Sequence, residues 1–198
     1  YIQKRKMNFL LVFLYSYIMG SIPFGFIIAR KKGINIRKSG SGNIGATNIF
    51  RSVGKKEGVI VLILDMLKGA CPAFLTSACM PQALSVSLVS AVLGHDFSIF
   101  LRFRGGKGVA TTYGVSLVAV PIAACIGLFL WAVVFLLFRF SSLSALISYA
   151  ATSTLVWFLY PSQVMINCTV SFLCVLMIIK HIPNIKRLIT KEEKRLQP

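Results

Sequence analysis

Residues 121–138 read PIAACIGLFLWAVVFLLF, eighteen positions without one charged side chain. A helix over that run rises about 27 Å, close to the ~30 Å hydrocarbon thickness of a bilayer. A helix in a soluble core needs only one apolar stripe, whereas this run is apolar on every face. Six further apolar segments surround it, at about Phe9 to Ala29, Gly58 to Met80, Pro81 to Leu93, Val109 to Val120, Ser142 to Tyr160 and Val164 to Ile179. Several are shorter than a full span, and Pro81, Pro121 and Pro161 stand where turns between antiparallel helices would lie. The whole chain agrees: 56% of its 198 residues are hydrophobic, 14% are charged, and its mean hydropathy is +0.77. The pattern predicts an all-α polytopic membrane protein with about seven transmembrane helices, forming a single domain over residues 1–198.

Twenty-two Lys and Arg face only five Asp and Glu. Such an excess raises the question of nucleic acid, but no aromatic-plus-basic RNA motif or zinc spacing accompanies it. Topology accounts for it better. Arg30 to Lys56 holds eight basic residues, Gly94 to Gly108 three, Arg139 one, and Lys180 to Pro198 six. In a seven-helix path all four segments fall on one side, which the Lys/Arg bias makes the cytoplasm, with the N-terminus outside and the C-terminus cytoplasmic. Lys4, Arg5 and Lys6 pull the other way, and the larger asymmetry decides. The first apolar segment follows these three residues as in a signal peptide. It lacks a small-residue cleavage site and runs on to Ile28, so it reads as a retained span. Met7, rather than residue 1, precedes the apolar run, which leaves residues 1–6 open to reading as a leader or a misplaced start.

Cys71, Cys79, Cys125, Cys168 and Cys174 are odd in number, lie in apolar stretches and show no CxxC spacing. They read as small core residues, with neither a disulfide framework nor a metal site.

Chemistry is left to the loops. Ser39 to Asn48 reads SGSGNIGATN and is followed by Arg51. Glycines let backbone N–H groups approach an anion, and Ser41, Thr47 and Arg51 could add side-chain bonds. The alternative is a flexible surface turn. Gly94 to Thr112 reads GHDFSIFLRFRGGKGVATT, with Arg102, Arg104 and Lys107 before a helix start. Glycines and a lysine at such a start make an anion site. It is not a Walker A loop, because Leu101 stands five before Gly106 and no Ser or Thr follows Lys107. His181 to Leu188 reads HIPNIKRL and places His181 and Asn184 at the mouth of the last helix. A lone interfacial histidine often only bonds a backbone carbonyl. Asp65 and Lys68, at i and i+3 inside an apolar stretch, are either functional or a mutually compensating pair. Ser141, Ser142 and Ser144 beside Arg139 are either a cap cluster or a further phosphate donor.

These residues resemble the bacterial membrane acyl-phosphate:glycerol-3-phosphate acyltransferases, the PlsY family. The resemblance covers nearly the whole chain: GSIPFG from Gly20 to Gly25, the SGNxGATN run from Ser41 to Asn48, Asp65 to Gly69, the stretch from Gly94-His95 to Gly105-Gly106-Lys107-Gly108-Val109-Ala110-Thr111, and HxxNIxRL from His181. It implies transfer of a fatty acyl group from acyl phosphate to the 1-hydroxyl of sn-glycerol 3-phosphate, giving lysophosphatidic acid and phosphate, the first step of phospholipid synthesis. It further implies a multi-pass protein of the bacterial cytoplasmic (inner) membrane. No cofactor, metal, nucleic acid, acyl carrier protein or CoA is expected. The HxxxxD pair of CoA-type acyltransferases is absent, since Phe100 stands five after His95. By the same resemblance the catalytic positions are Ser41, Arg51, Lys107 and His181. Substrate would be bound by Ser41, Asn43, Thr47, Arg51, Gly105, Gly106, Lys107, Ser142, His181 and Asn184. The chain departs from the family's habit at Ile44 and Ser98, where proline is frequent, at Arg104 for lysine, at Asn35 for aspartate and at Lys191 for glycine.

Neither a Ser-His-Asp set nor a cysteine paired with histidine is apparent, so direct attack by the glycerol hydroxyl fits better than an acyl-enzyme. Its proton would go to His181 or to a phosphate oxygen, whose second pKa lies near ~6; the resemblance implies the phosphate. A transporter of phosphate or phospho-sugars is the alternative from another class, opposed by the absence of an inverted repeat. A lipid kinase is a third, opposed by the lack of an acidic cluster for magnesium.

Overall fold

The computed structural model describes residues 2–196, with side chains from residue 8 onward. The side chains of Lys4, Arg5 and Lys6, and with them their pull on topology, lie outside the described residues.

Among the described residues every regular element is helical: α1 (Ile2–Ser21), α2 (Phe24–Lys31), α3 (Ala46–Ser52), α4 (Lys55–Cys79), α5 (Leu84–Asp96), α6 (Val109–Ala119), α7 (Pro121–Phe138), α8 (Ser141–Leu159) and α9 (Val164–Ile189), with short 3-10 turns at Ile36–Lys38, Pro81–Ala83 and Ile99–Leu101. Six stretches are long and apolar enough to cross a membrane: Asn8–Lys31, Lys55–Cys79, Pro81–Leu101, Pro121–Phe138, Ser141–Leu159 and Val164–Ile189. Val109–Ala119 is apolar but shorter. Pro81 and Pro121 open helical segments, where a missing N–H costs nothing.

Three boundaries differ from the hydropathy reading. The first segment is not continuous, because Pro23, which carries no N–H, separates α1 from α2. The first polar loop contains α3, hidden from a hydropathy scan by its Thr, Asn and Arg. The last helix runs to Ile189, well past Ile179, so His181 and Asn184 lie within it and not at its mouth. Apolarity ends there but helix propensity does not, since Ile, Leu, Lys and Arg carry the helix on and Pro183 removes only one N–H.

The chain divides into two compact units, Tyr1–Ala119 and Val120–Pro198. In the first, α1 packs on α5, α4 on α6 and α3 on α4. The α1–α5 approach is close: a Cβ at Gly20 would collide with the Ala91 backbone, and one at Gly94 with the Tyr17 carbonyl. Small residues at such a crossing let backbones meet where lipid gives no hydrophobic drive. Hydroxyls pin the bundle further, Ser16 to Ser87 at 2.9 Å and Tyr15 to Thr76. Beneath the first loop Ala29, Ile36, Ile44, Ile49 and Val61 form an apolar core. In the second unit α8 packs on both α7 and α9. Ser171 Oγ accepts from Ser153 Oγ and from Trp157 Nε1, both at 3.2 Å, while Asn167 Nδ2 donates to the Tyr160 carbonyl at 2.8 Å.

Candidate functional site

The first loop is organised by a side chain that the sequence reading passed over. Asn48, buried in the first turn of α3, accepts the Ser41 N–H on its Oδ1 at 2.9 Å. Its Nδ2 donates to the Ser39 carbonyl at 3.0 Å and to the Asn43 carbonyl at 2.7 Å. One amide thus closes the Ser39–Asn43 turn on itself, satisfying backbone groups that no ladder serves. Ser41 is left exposed at the tip, with Asn43, Thr47 and Arg51 half-buried around it. Thr47 and Arg51 are four apart on α3 and so share a face, one turn from each other.

The second loop doubles back onto the end of α5. Gly105 N–H donates to the Asp96 carbonyl at 3.1 Å and Gly106 N–H to the His95 carbonyl at 3.0 Å. The fit requires glycine twice over, because a Cβ at Gly105 would collide with the His95 carbonyl and one at Gly106 with the His95 ring. Lys107 follows, half-buried, and α6 starts two residues later at Val109. The expected helix start after a lysine and glycines is therefore present. Before it, Arg102 and Phe103 take left-handed φ of 52° and 61°, a strained turn for side-chain-bearing residues.

The two loops are tied together. The Arg37 guanidinium donates to the Arg104 carbonyl. Burial, and then the neighbouring charge of Arg104, holds Arg37 below the usual guanidinium pKa. Two crowded cations beside glycine-rich backbone favour an anion.

In the second unit the organiser is Glu193. Its Oε1 accepts from Ser142 Oγ at 2.7 Å and Asn184 Nδ2 at 2.6 Å, and its Oε2 from Arg187 Nε at 2.7 Å. Burial works to raise the Glu193 carboxyl, but the bonds from Ser142, Asn184 and Arg187 and the Arg187 charge outweigh it and hold the group below the usual carboxylate range. His181, buried one turn before Asn184, has Nδ1 2.8 Å from the Met177 carbonyl. A carbonyl only accepts, so Nδ1 carries the proton and, in the neutral ring, Nε2 carries the lone pair.

The family departures acquire local reasons. Ile44 is part of the apolar core under the first loop. Ser98 Oγ donates to the Ser21 carbonyl at 2.5 Å, a bond proline could not make. Lys191, at φ 60°, is the left-handed residue after α9 that turns the chain so that Glu192 and Glu193 N–H donate to the Arg187 carbonyl at 2.8 and 3.1 Å. Glycine suits that cap better. Asn48, Arg37, His95 and Glu193 all escaped the sequence reading as working residues. The one available signal was Glu193, an acid in a basic tail.

The likeness to known proteins is extensive. Residues 10–191 match the family model described as glycerol-3-phosphate acyltransferase. A glycerol-3-phosphate acyltransferase of Wolbachia pipientis subsp. Culex pipiens (strain wPip) is 42% identical over 189 residues, covering 93% of this chain and 97% of the relative. That of Aquifex aeolicus (strain VF5) is 38% identical, covering 96% and 100%. Among solved structures, PlsY (YgiH), an integral membrane glycerol 3-phosphate acyltransferase, superposes in its glycerol 3-phosphate form with a TM-score of 0.92 at 37% identity over 96% of each chain. In its lysophosphatidic acid form the TM-score is 0.89 at 36% identity.

Proposed function

The chain belongs to the glycerol-3-phosphate acyltransferase family of integral membrane enzymes, and from that premise we propose that its donor is acyl phosphate and that the two tied loops of the first unit hold the phosphates of donor and acceptor. The observation that carries this is the bond from Arg37 to the Arg104 carbonyl, which places one basic glycine-rich loop beside another, as two phosphate-bearing substrates would need. Ser41, Asn43, Thr47 and Arg51 serve one loop, Gly105, Gly106 and Lys107 the other. Within the second unit, Ser142, His181 and Asn184 are proposed phosphate ligands in their own right. The relatives named above carry the acyltransferase name, which favours this reading over a transporter.

The 1-hydroxyl of glycerol 3-phosphate attacks the acyl carbonyl, an ester C–O bond forms, and the bond from the carbonyl to the phosphate oxygen breaks. The hydroxyl proton passes to a phosphate oxygen, which leaves as inorganic phosphate. Arg51 and Lys107 offset the repulsion between two anionic substrates and turn their encounter into an oriented reaction. Fixed N–H donors and cations also stabilise charge developing on the carbonyl oxygen and leaving phosphate. With Nδ1 bonded to Met177, His181 meets phosphate through Nε2, which donates only when the ring carries a second proton. The chain works as one domain in the bacterial cytoplasmic membrane, with these loops facing the cytoplasm where the basic residues concentrate.

Purified protein given acyl phosphate and labelled glycerol 3-phosphate should form labelled lysophosphatidic acid without CoA or acyl carrier protein. Lys107→Ala should lower kcat/KM by about 10² or more, the scale for losing one fixed charge partner of a transition state, while eluting as the folded parent does. Product formed only from acyl-CoA would overturn the donor assignment, and a near-parental Lys107→Ala variant the site.

A further inference from the structure

Asp65 and Lys68 stand one turn apart on α4, their side chains 3% and 2% exposed, with Lys68 Nζ 2.8 Å from Asp65 Oδ1. The ammonium also donates to the Ile22 carbonyl at 2.7 Å and lies 5.8 Å from the centre of the Phe24 ring. Those two residues flank Pro23, the break between α1 and α2, so the ammonium clamps the break from inside. From there α2 passes so close to the first loop that a Cβ at Gly25 would collide with the Ile44 carbonyl. On its other side the pair reaches the second loop, since Asp65 Oδ1 is 3.8 Å from His95 Nδ1 and the His95 ring packs against Gly106, next to Lys107.

We propose that Asp65 and Lys68 are positioning residues, a shared strut on α4 that sets the spacing of the two phosphate loops. The strut acts through Ile22 and α2 on the loop bearing Ser41 and Arg51, and through His95 on the loop bearing Lys107. Stability alone does not call for this arrangement, because a buried ion pair is often replaced by apolar residues of similar size without loss. What apolar residues cannot supply is an ammonium bonded to the Ile22 carbonyl and a carboxylate facing His95. The proposal rests on the phosphate-loop reading above.

Two double variants test it, the charge swap Asp65→Lys/Lys68→Asp and the neutral pair Asp65→Asn/Lys68→Met. The swap keeps both charges of the pair and the neutral variant removes both, and each takes the ammonium from Ile22. Both should elute as folded protein with a Tm near the parent's, while KM for glycerol 3-phosphate rises by about ten- to a hundredfold and kcat falls less, the pattern of groups present but displaced. Parental KM in either folded double variant overturns the proposal. If neither variant folds, the pair is a stability element and the proposal is equally overturned. Lys107→Ala run alongside separates the two readings. Parental turnover there removes the phosphate loop and the strut's role with it, whereas parental KM in the double variants beside an inactive Lys107→Ala removes the strut alone.

Discussion

Within the first unit each loop is closed on itself by neutral bonds and shape, through the Asn48 amide and the folded-back glycine backbone. The second unit fixes Ser142, Asn184 and Arg187 with one carboxylate, that of Glu193. A neutral staple is indifferent to pH and salt, while a carboxylate staple holds only when ionised. The depressed pKa of Glu193 means that its stabilising contribution is fully present above the ordinary carboxylate range and is lost as pH falls through the folded-state value. The two units should therefore loosen under different conditions.

Breaking the shape-held side should cost most. Gly106→Ala forces a methyl group into the buried His95 ring and should lower kcat/KM by more than about 10², because misplacement by about 1 Å carries that cost. A variant within about twofold of the parent would mean that the ring, and not the loop, gives way. Asn48→Ala removes three bonds to the first loop and strands backbone groups, each costing about 1–3 kcal/mol. Steady-state kinetics should show a loss of about tenfold or more in kcat/KM, in the same proportion at each pH, because an amide does not titrate.

The charge-held side should respond differently. In the parent, limited proteolysis of the segment after Ile189 should accelerate only as pH is lowered below the ordinary carboxylate value of about 4. Glu193→Gln keeps an acceptor but loses the charge facing Arg187, so its cleavage should be raised and nearly flat with pH. A pH-flat parent would erase the contrast between the units. The smallest effect is expected at Lys191→Gly, which relieves a left-handed backbone at the end of α9 and should stabilise by up to about 1 kcal/mol in thermal unfolding, leaving kinetics unchanged.

How far the residues foretold this depends on the range of the interaction. Pro121–Phe138 was readable to the residue because lipid solvation acts on each side chain where it stands. The glycines and Lys107 before Val109 were readable because turn and helix-start chemistry is local. The α3 helix was missed because its seven residues bury one small face, chiefly Asn48 and Ile49, under a polar exterior. Glu193 and His95 were missed because their meaning is tertiary: Glu193 is defined by Ser142, fifty-one positions away, and His95 by the glycines that fold back on it. The long reach of α9 was missed because hydropathy measures lipid, and a helix stops for other reasons.

The shortness of α6 has a consequence for how the protein is made. Eleven residues rise about 16 Å, roughly half the ~30 Å of hydrocarbon, and Thr111 to Ser116 are buried against protein. Their shelter is α4, where a Cβ at Gly114 would strike the Met66 carbonyl and one at Gly69 the Thr111 carbonyl. A newly made segment so brief, and carrying Thr111, Thr112 and Ser116, has little reason to leave the insertion channel for lipid on its own. Its partner α4 precedes it in the chain and packs against it. A circular permutation that delivered α6 before α4 would present that helix ahead of its partner, with every final contact still encoded.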